Sequence, residues 1–188
     1  MAVLSKIKAS DNIDYNIRDD YSTWGGRNLL KGTKDWSCME NTTGLTKSGE
    51  QCSISTNNTT NRTYYFDVNN GDTYTLSVDV KVSTASTYTM ATHLFFLIDE
   101  LNSSNNRVAY EVSPTANLTT SWQRVSKTFT IANSSIKKII FGFRNTGSGG
   151  TVTLRHLKLE KGNKPTDWSP APEDIAKFIG NETIELYG

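Results

Sequence analysis

The sequence predicts an all-β chain: a two-layer β-sandwich preceded by a short β-hairpin. Three observations carry this expectation. Turn-forming clusters of Asn, Gly, Ser and Thr recur at a spacing of roughly 8–12 residues, as in sandwiches built from many short strands. Between the clusters, apolar and polar residues alternate with period two, as where Tyr74, Leu76, Val78 and Val80 oppose Thr75, Ser77, Asp79 and Lys81. No helical periodicity competes before Glu173, and a composition that is 10% aromatic and rich in Ser, Thr and Asn suits strands with polar outer faces.

Taken in order, the elements begin with a hairpin. Val3 to Lys8 alternates loosely, Ser10-Asp11-Asn12 is a turn signal, and Ile13, Tyr15 and Ile17 alternate cleanly. So small a hairpin is not stable alone in water and must pack on the sandwich, on a second copy or on another protein. Asp19 to Trp24 suits one helical turn, and Gly25-Gly26 a hinge.

From Asn28 onward, strands are expected near 28–32, 36–40, 51–56, 62–68, 73–82, 87–99, 106–113, 122–131, 136–144 and 151–160. A turn is expected over 42–49, and the cleanest one at Asn70-Gly71, where glycine tolerates positive φ. Besides the set in 73–82, the inward-facing residues are Met90, Leu94, Phe96 and Ile98, then Val125, Phe129 and Ile131, then Ile139, Phe141 and Phe143.

The closing strand changes phase. Val152 and Leu154 share one face while Leu157 and Leu159 share the other, so either a β-bulge near Arg155-His156 inserts one residue or both faces are partly covered. Gly162, Pro165 and the Ser-Pro-Ala-Pro run ending at Pro172 then stop the sheet, since proline lacks the donor a ladder needs. Pro172 suits the start of a short helix over 173–179, within a tail of 173–188.

Charge and composition exclude several classes. Twenty basic against nineteen acidic residues give a net charge of +1 with no block of like charge, so there is no electrostatic case for nucleic acid. The longest apolar run, Leu94 to Ile98, falls far short of the roughly 20 residues of a membrane span. The amino terminus lacks the apolar region of a secretory signal, so synthesis in a cytoplasm is expected. The Asn-X-Ser/Thr sites at Asn41, Asn58, Asn61, Asn117 and Asn181 then read as chance, and Cys38 and Cys52 as free thiols.

Four segments carry a family resemblance: GRNLLKGTKDW (26–36), GDTYTLSVDVK (71–81), SWQRVSKTFTI (121–131) and HLKLEKGNKPTDWSPAPED (156–174). In this order they resemble carbohydrate-binding-module-like jelly rolls in virion proteins of tailed phages of Gram-positive bacteria. The resemblance implies a jelly-roll topology and a virion protein. It would be a capsid decoration, head fibre or tail-baseplate appendage, and its module would adhere to host surface polysaccharide. The implied division is an anchoring arm over 1–25, a jelly roll over 26–172 and a tail. Ile7, Ile13, Tyr15, Ile17 and Trp24 are the candidate anchors to a capsid, tail or baseplate protein. A homo-oligomer is expected, most plausibly a trimer; the alternative is a structural adaptor without sugar binding.

The chemistry agrees with a non-enzymatic chain and no cofactor. Glycoside hydrolysis needs two carboxylates about 5–10 Å apart across a cleft, and nothing in the sequence pairs Asp79, Asp99, Glu100, Glu111 or Glu160 beyond the adjacency of Asp99 and Glu100. His93 and His156 lie within strand patterns, without a nucleophile in sight. Sugar binding needs exposed rings beside polar side chains. The candidates are Tyr65 near Asp67, Tyr88, His93, Tyr110 with Glu111, and Arg144. Trp36, Trp122 and Trp168 are expected to close the sandwich ends. No metal-ligand spacing is present, but the resembled jelly rolls often hold calcium between first and last strands, which makes Asn28 and Glu160, with Asp35 and Asp167, the oxygens to inspect.

Overall fold

The structure, a computed structural model, describes residues 26–55, 61–84, 89, 93–111, 113–114, 116–147 and 150–174, together with the backbone of 4–8 and 14–18. Twelve strands are formed by the described residues. β1 (Leu4–Lys8) and β2 (Asp14–Arg18) pair antiparallel as the expected hairpin, with Ile7 opposite Tyr15 and Ser5 opposite Ile17. Ile13 and Trp24 lie outside the described residues.

The other strands form two antiparallel sheets. The first holds β3 (Leu45–Ser48), β4 (Gln51–Ile54), β7 (Thr73–Val82), β10 (Gln123–Thr130) and β12 (Val152–Lys161), in the order β10-β7-β12-β4-β3. The second holds β5 (Asn61–Arg62), β6 (Phe66–Asp67), β8 (Leu94–Leu101), β9 (Arg107–Glu111) and β11 (Lys138–Asn145), in the order β5-β11-β8-β9 with β6 also on β11. From β4 onward the chain crosses repeatedly from sheet to sheet, the connectivity of a jelly-roll sandwich.

Alternation built the core as the sequence implied. Leu76, Val78, Val80, Leu154, Leu157 and Leu159 from the first sheet are fully buried against Leu94, Ile98, Ile139, Phe141 and Phe143 from the second. Phe96 stacks on Phe143 at 5.3 Å between centroids, and Trp36 meets Phe143 edge-on at 6.4 Å, arrangements that suit the ring quadrupoles. Of the tryptophans expected at the sandwich ends, Trp36 instead enters the core, its Nε1 donating to the Glu50 carbonyl at 3.0 Å.

The bulge in β12 settles its change of phase. Arg155 pairs with Asp79 and Lys158 with Ser77, so three steps along β12 match two along β7. His156 supplies the extra residue in the left-handed region, φ 58°, and both leucine pairs turn inward.

Several expectations of secondary structure are corrected. Residues 28–32 and 36–40 form no strand; 31–38 are turns, with an isolated bridge from Met39 to Thr63. Asn28 explains the opening of that segment: its Oδ1 accepts from the amides of Leu30 (3.1 Å) and Leu159 (3.2 Å), replacing ladder bonds with side-chain bonds. The span 42–49, expected to be a turn, contains β3. It is an edge strand whose residues are exposed or half-buried, so it carries no apolar alternation to read. Of the expected strand 87–99, the described residues give β8 from Leu94 onward, an isolated bridge from Thr89 to Asn117, and the His93 amide donating to the Thr89 carbonyl at 2.9 Å. A helical turn starts at Pro172 as expected and is described through Asp174.

Candidate functional site

The two outer faces of the sandwich differ in what covers them. On the first sheet, the chain after β12 folds back across the strands. Lys158 Nζ donates to Thr166 Oγ1 (2.6 Å) and to the Asp167 carbonyl (2.7 Å). Thr75 Oγ1 donates to the Gly162 carbonyl at 2.8 Å. Trp168 Nε1 donates to the Leu157 carbonyl at 3.2 Å, and its ring lies on His156. Arg27 pairs with Glu173, and Asp174 Oδ2 accepts from the Gly32 amide at 2.7 Å. Under this strap Thr75, Ser77, Lys158 and Glu160 are wholly buried despite pointing away from the core.

The centre of that face is a charge network. Asp79 receives Arg124 Nη1 at 2.9 Å and Arg155 Nε at 3.3 Å, and its Oδ2 lies 2.8 Å from His156 Nδ1. Burial works against the Asp79 carboxylate, but the hydrogen bonds and charges of Arg124 and His156 outweigh it and hold its pKa below the usual carboxylate range. Trp122, another tryptophan expected at an end, lies between Lys81 Nζ (4.7 Å from its centroid) and the Arg155 guanidinium carbon (4.2 Å). Asp79, Arg124, Arg155 and His156 thus hold one another across β7, β10 and β12, and His156 also meets Trp168 of the strap.

Among the described residues, no strap of this kind crosses the outer face of the second sheet. The exposed large hydrophobics among the described residues are Tyr65, Val108 and Tyr110, at 45%, 39% and 60%, and the two tyrosines belong to this face. Tyr65 precedes β6, whose Phe66 turns inward onto Tyr74, so Tyr65 and Asp67 point out. Tyr110 on β9 stands opposite Asp99 on β8, and a shift of register at Val108 brings Arg107, opposite Leu101, onto the same face. Between them lies an apolar floor of Leu97, Leu101 and Ile140, the last two only 5% exposed.

Charged groups rim this floor. Asp99 is nearly buried and forms ion pairs with two arginines, Arg62 Nη2 at 3.2 Å and Arg107 Nη1 at 3.5 Å. The Arg107 guanidinium carbon stands 5.5 Å from the Tyr110 ring centroid, and Lys138 Nζ stands 5.7 Å from that of Tyr65. Lys138 Nζ also donates to Asn105 Oδ1 at 3.2 Å. Arg144 lies on the same face of β11, four residues beyond Ile140.

The structure thus brings Tyr65, Tyr110 and Arg144 onto one face. His93 is occupied elsewhere, its Nδ1 accepting from the Thr89 amide at 3.1 Å and closing the turn before β8. Tyr88 and the Glu111 side chain lie outside the described residues. Sequence reading missed Arg62, Asp99, Arg107 and Lys138, which come from four different strands; the one available signal was Asp99 as an acid at a position facing away from the core.

Asp99 and Glu100 are adjacent on one strand and so point to opposite sides, which removes the pairing that hydrolysis needs. Glu160 is engaged with Thr166, accepting from its amide at 2.8 Å and its hydroxyl at 2.6 Å, and the cation beside it is Lys158 Nζ at 3.6 Å. Asn28 spends its amide group on Thr33, Leu157 and Ser169. Among the described residues no three His, Cys, Asp or Glu side chains converge on a point.

Comparison with solved structures gives similarity at low identity. The tripod from the baseplate of bacteriophage Tuc2009 is 18% identical over 93% of this chain and 67% of its own, with a TM-score of 0.49. A CBM4 structure is 14% identical over 76% and 97%, TM-score 0.44. The CBM22-1 xylan-binding domain of Paenibacillus barcinonensis Xyn10C is 13% identical over 74% and 94%, TM-score 0.42. No curated protein matches the chain. The model of the carbohydrate binding domain family CBM 4/9 matches residues 14–148. With an antiparallel sandwich and that match across most of its length, the chain belongs to the carbohydrate-binding domain family CBM 4/9.

Proposed function

We propose that this chain is a non-enzymatic glycan-binding protein of a phage virion, and that the outer face of the second sheet is its binding surface. The observation that carries the glycan reading is the placement of Tyr65 and Tyr110, two exposed aromatic side chains among the described residues, on the outer face of the second sheet with cations at their rings. Pyranose rings stack their C–H faces on such rings while hydroxyls bond to the flanking polar groups, here Arg62, Asp99, Arg107, Lys138 and Arg144.

The virion placement rests on the four sequence segments at 26–36, 71–81, 121–131 and 156–174. In this reading residues 1–25 are an arm that seats on a capsid, tail or baseplate protein through Ile7, Ile13, Tyr15, Ile17 and Trp24, residues 26–172 are the displayed module, and the assembly is a homotrimer on a phage of a Gram-positive host.

The test is binding of the purified chain to host cell-wall polysaccharide, wild type against Tyr65→Ala and Tyr110→Ala. Both positions are exposed, so the variants keep the wild-type melting temperature and lose binding at least tenfold. Folded variants that bind as wild type would remove this face from the function and leave a structural adaptor as the reading. Electron microscopy of virions with and without the gene tests the placement, since unchanged particles would end it.

A further inference from the structure

We infer that the ligand of the second sheet's outer face is an acidic polysaccharide, one whose repeat carries carboxylate or phosphodiester groups. The inference rests on the glycan-binding reading above and adds the chemical class of the glycan.

The charges on this face do not balance. Arg62, Arg107 and Lys138 stand against Asp67 and Asp99 among its described side chains. Asp99 lies in ion pairs with both Arg62 and Arg107, so one carboxylate neutralises one of two guanidiniums. Each guanidinium carries five N–H donors in a planar fork, with one of its nitrogens 3.2 Å (Arg62) or 3.5 Å (Arg107) from an Asp99 oxygen. The side chains of Arg62 and Arg107 are 46% and 61% exposed, so the remaining donors face solvent. Lys138 Nζ bonds the neutral Asn105 amide, although Asp67 pairs with Lys138 in register.

The positions of the cations matter as much as their number. Arg107 stands over Tyr110 and Lys138 over Tyr65. A sugar packed on either ring therefore has a cation at its edge. A neutral glycan offers hydroxyls there and leaves the surplus charge unmatched. An oxyanion on the sugar ring fits a guanidinium fork through two parallel bonds, which are shorter and stronger than neutral ones. Asp99 fixes both forks while cancelling only part of their charge, so it positions the cations without closing the site.

The experiment is calorimetric titration of the full chain with matched pairs: polygalacturonate against fully methyl-esterified pectin, and phosphomannan against neutral mannan. Poly-glutamate is the charge-only control. The acidic member of at least one pair should bind at least tenfold tighter than its neutral partner, and the pair that does so identifies carboxylate or phosphodiester as the group recognised. That binding should weaken about tenfold between 50 and 300 mM NaCl, and by about tenfold in Arg62→Gln or Arg107→Gln. Asp99→Asn, if folded, should bind more tightly, since it frees both forks. Equal binding of neutral and acidic partners, or insensitivity to salt and to both arginine variants, overturns the inference and leaves glycan binding standing. Poly-glutamate bound as tightly as polysaccharide overturns it as well, because charge alone would then suffice. Failure of every polysaccharide removes the glycan reading and this inference together.

Discussion

The imidazole of His156 lies flat on the indole of Trp168, with centroids 4.5 Å apart and 17° between the planes. His156 is the extra residue of the β12 bulge, and Trp168 is the middle of the strap that covers the first sheet, so one contact joins the two irregular features of the closing segment. Trp168→Ala removes both the stack and the bond to the Leu157 carbonyl. A half-buried tryptophan with these contacts is worth about 2 kcal/mol, which at this size is a fall in melting temperature of about 4–8 °C. Hydrogen exchange should localise the effect, with the Thr166 amide losing protection and the β8–β11 ladder keeping it.

Stability should fall in acid through Asp79. Its carboxyl titrates below the ordinary value of 3.8 in the folded chain and near it in the unfolded one. Above 3.8 both states are ionised and the full contribution is present. As the pH falls through that value towards the folded pKa, the unfolded state takes up its proton first and the contribution is lost. Urea midpoints from about pH 6 to about pH 3 should therefore drop more steeply in wild type than in Asp79→Asn; parallel slopes would show that Asp79 is not the source.

Lys158 and Glu160 form a buried ion pair at 3.6 Å, with side-chain exposures of 1% and 0%. Lys158→Met leaves the Glu160 carboxylate without a cation and should cost about 3–5 kcal/mol in chemical denaturation. Adding Glu160→Gln should recover part of that loss, because a neutral amide needs no counter-charge. A single variant as stable as wild type would show that the strap reorganises around the acid.

Both cysteines are sealed into the core. Burial pushes the thiols of Cys38 and Cys52 up to about 12, so neither is a thiolate at neutral pH. Native protein at about pH 8 should leave a thiol-specific alkylating reagent unreacted for hours, and the chain should consume two equivalents in guanidinium. Fast labelling of the native chain would mean that β4 opens locally from the edge of the sheet.

Much of the sandwich was legible in the chain. Period-two alternation placed Leu76, Val78, Phe129, Ile139 and Phe143 in the core, and the phase change from Leu154 to Leu157 marked the position of the bulge. Legibility failed where side chains replace pattern. Residues 28–40 looked like strands because of Leu29, Leu30 and Trp36, but Asn28 holds that segment through side-chain bonds, and β3 carries only exposed or half-buried residues.

The outer face of the second sheet shows the same division. Tyr65, Tyr110 and Arg144 could be named from residue type and local alternation, because exposure on a strand is a nearest-neighbour property. The apolar floor and the Arg62–Asp99–Arg107 cluster could not. Arg62 and Asp99 are distant in sequence and are joined through β11, which pairs with β5 on one side and β8 on the other. Cover follows the same rule: Thr75 and Ser77 alternate outward in the sequence yet are buried, because the strap returns over them, with Gly162 reaching Thr75 from 87 residues away. Alternation along a strand decides which way a side chain points; strand order and the return of distant chain decide what it meets there.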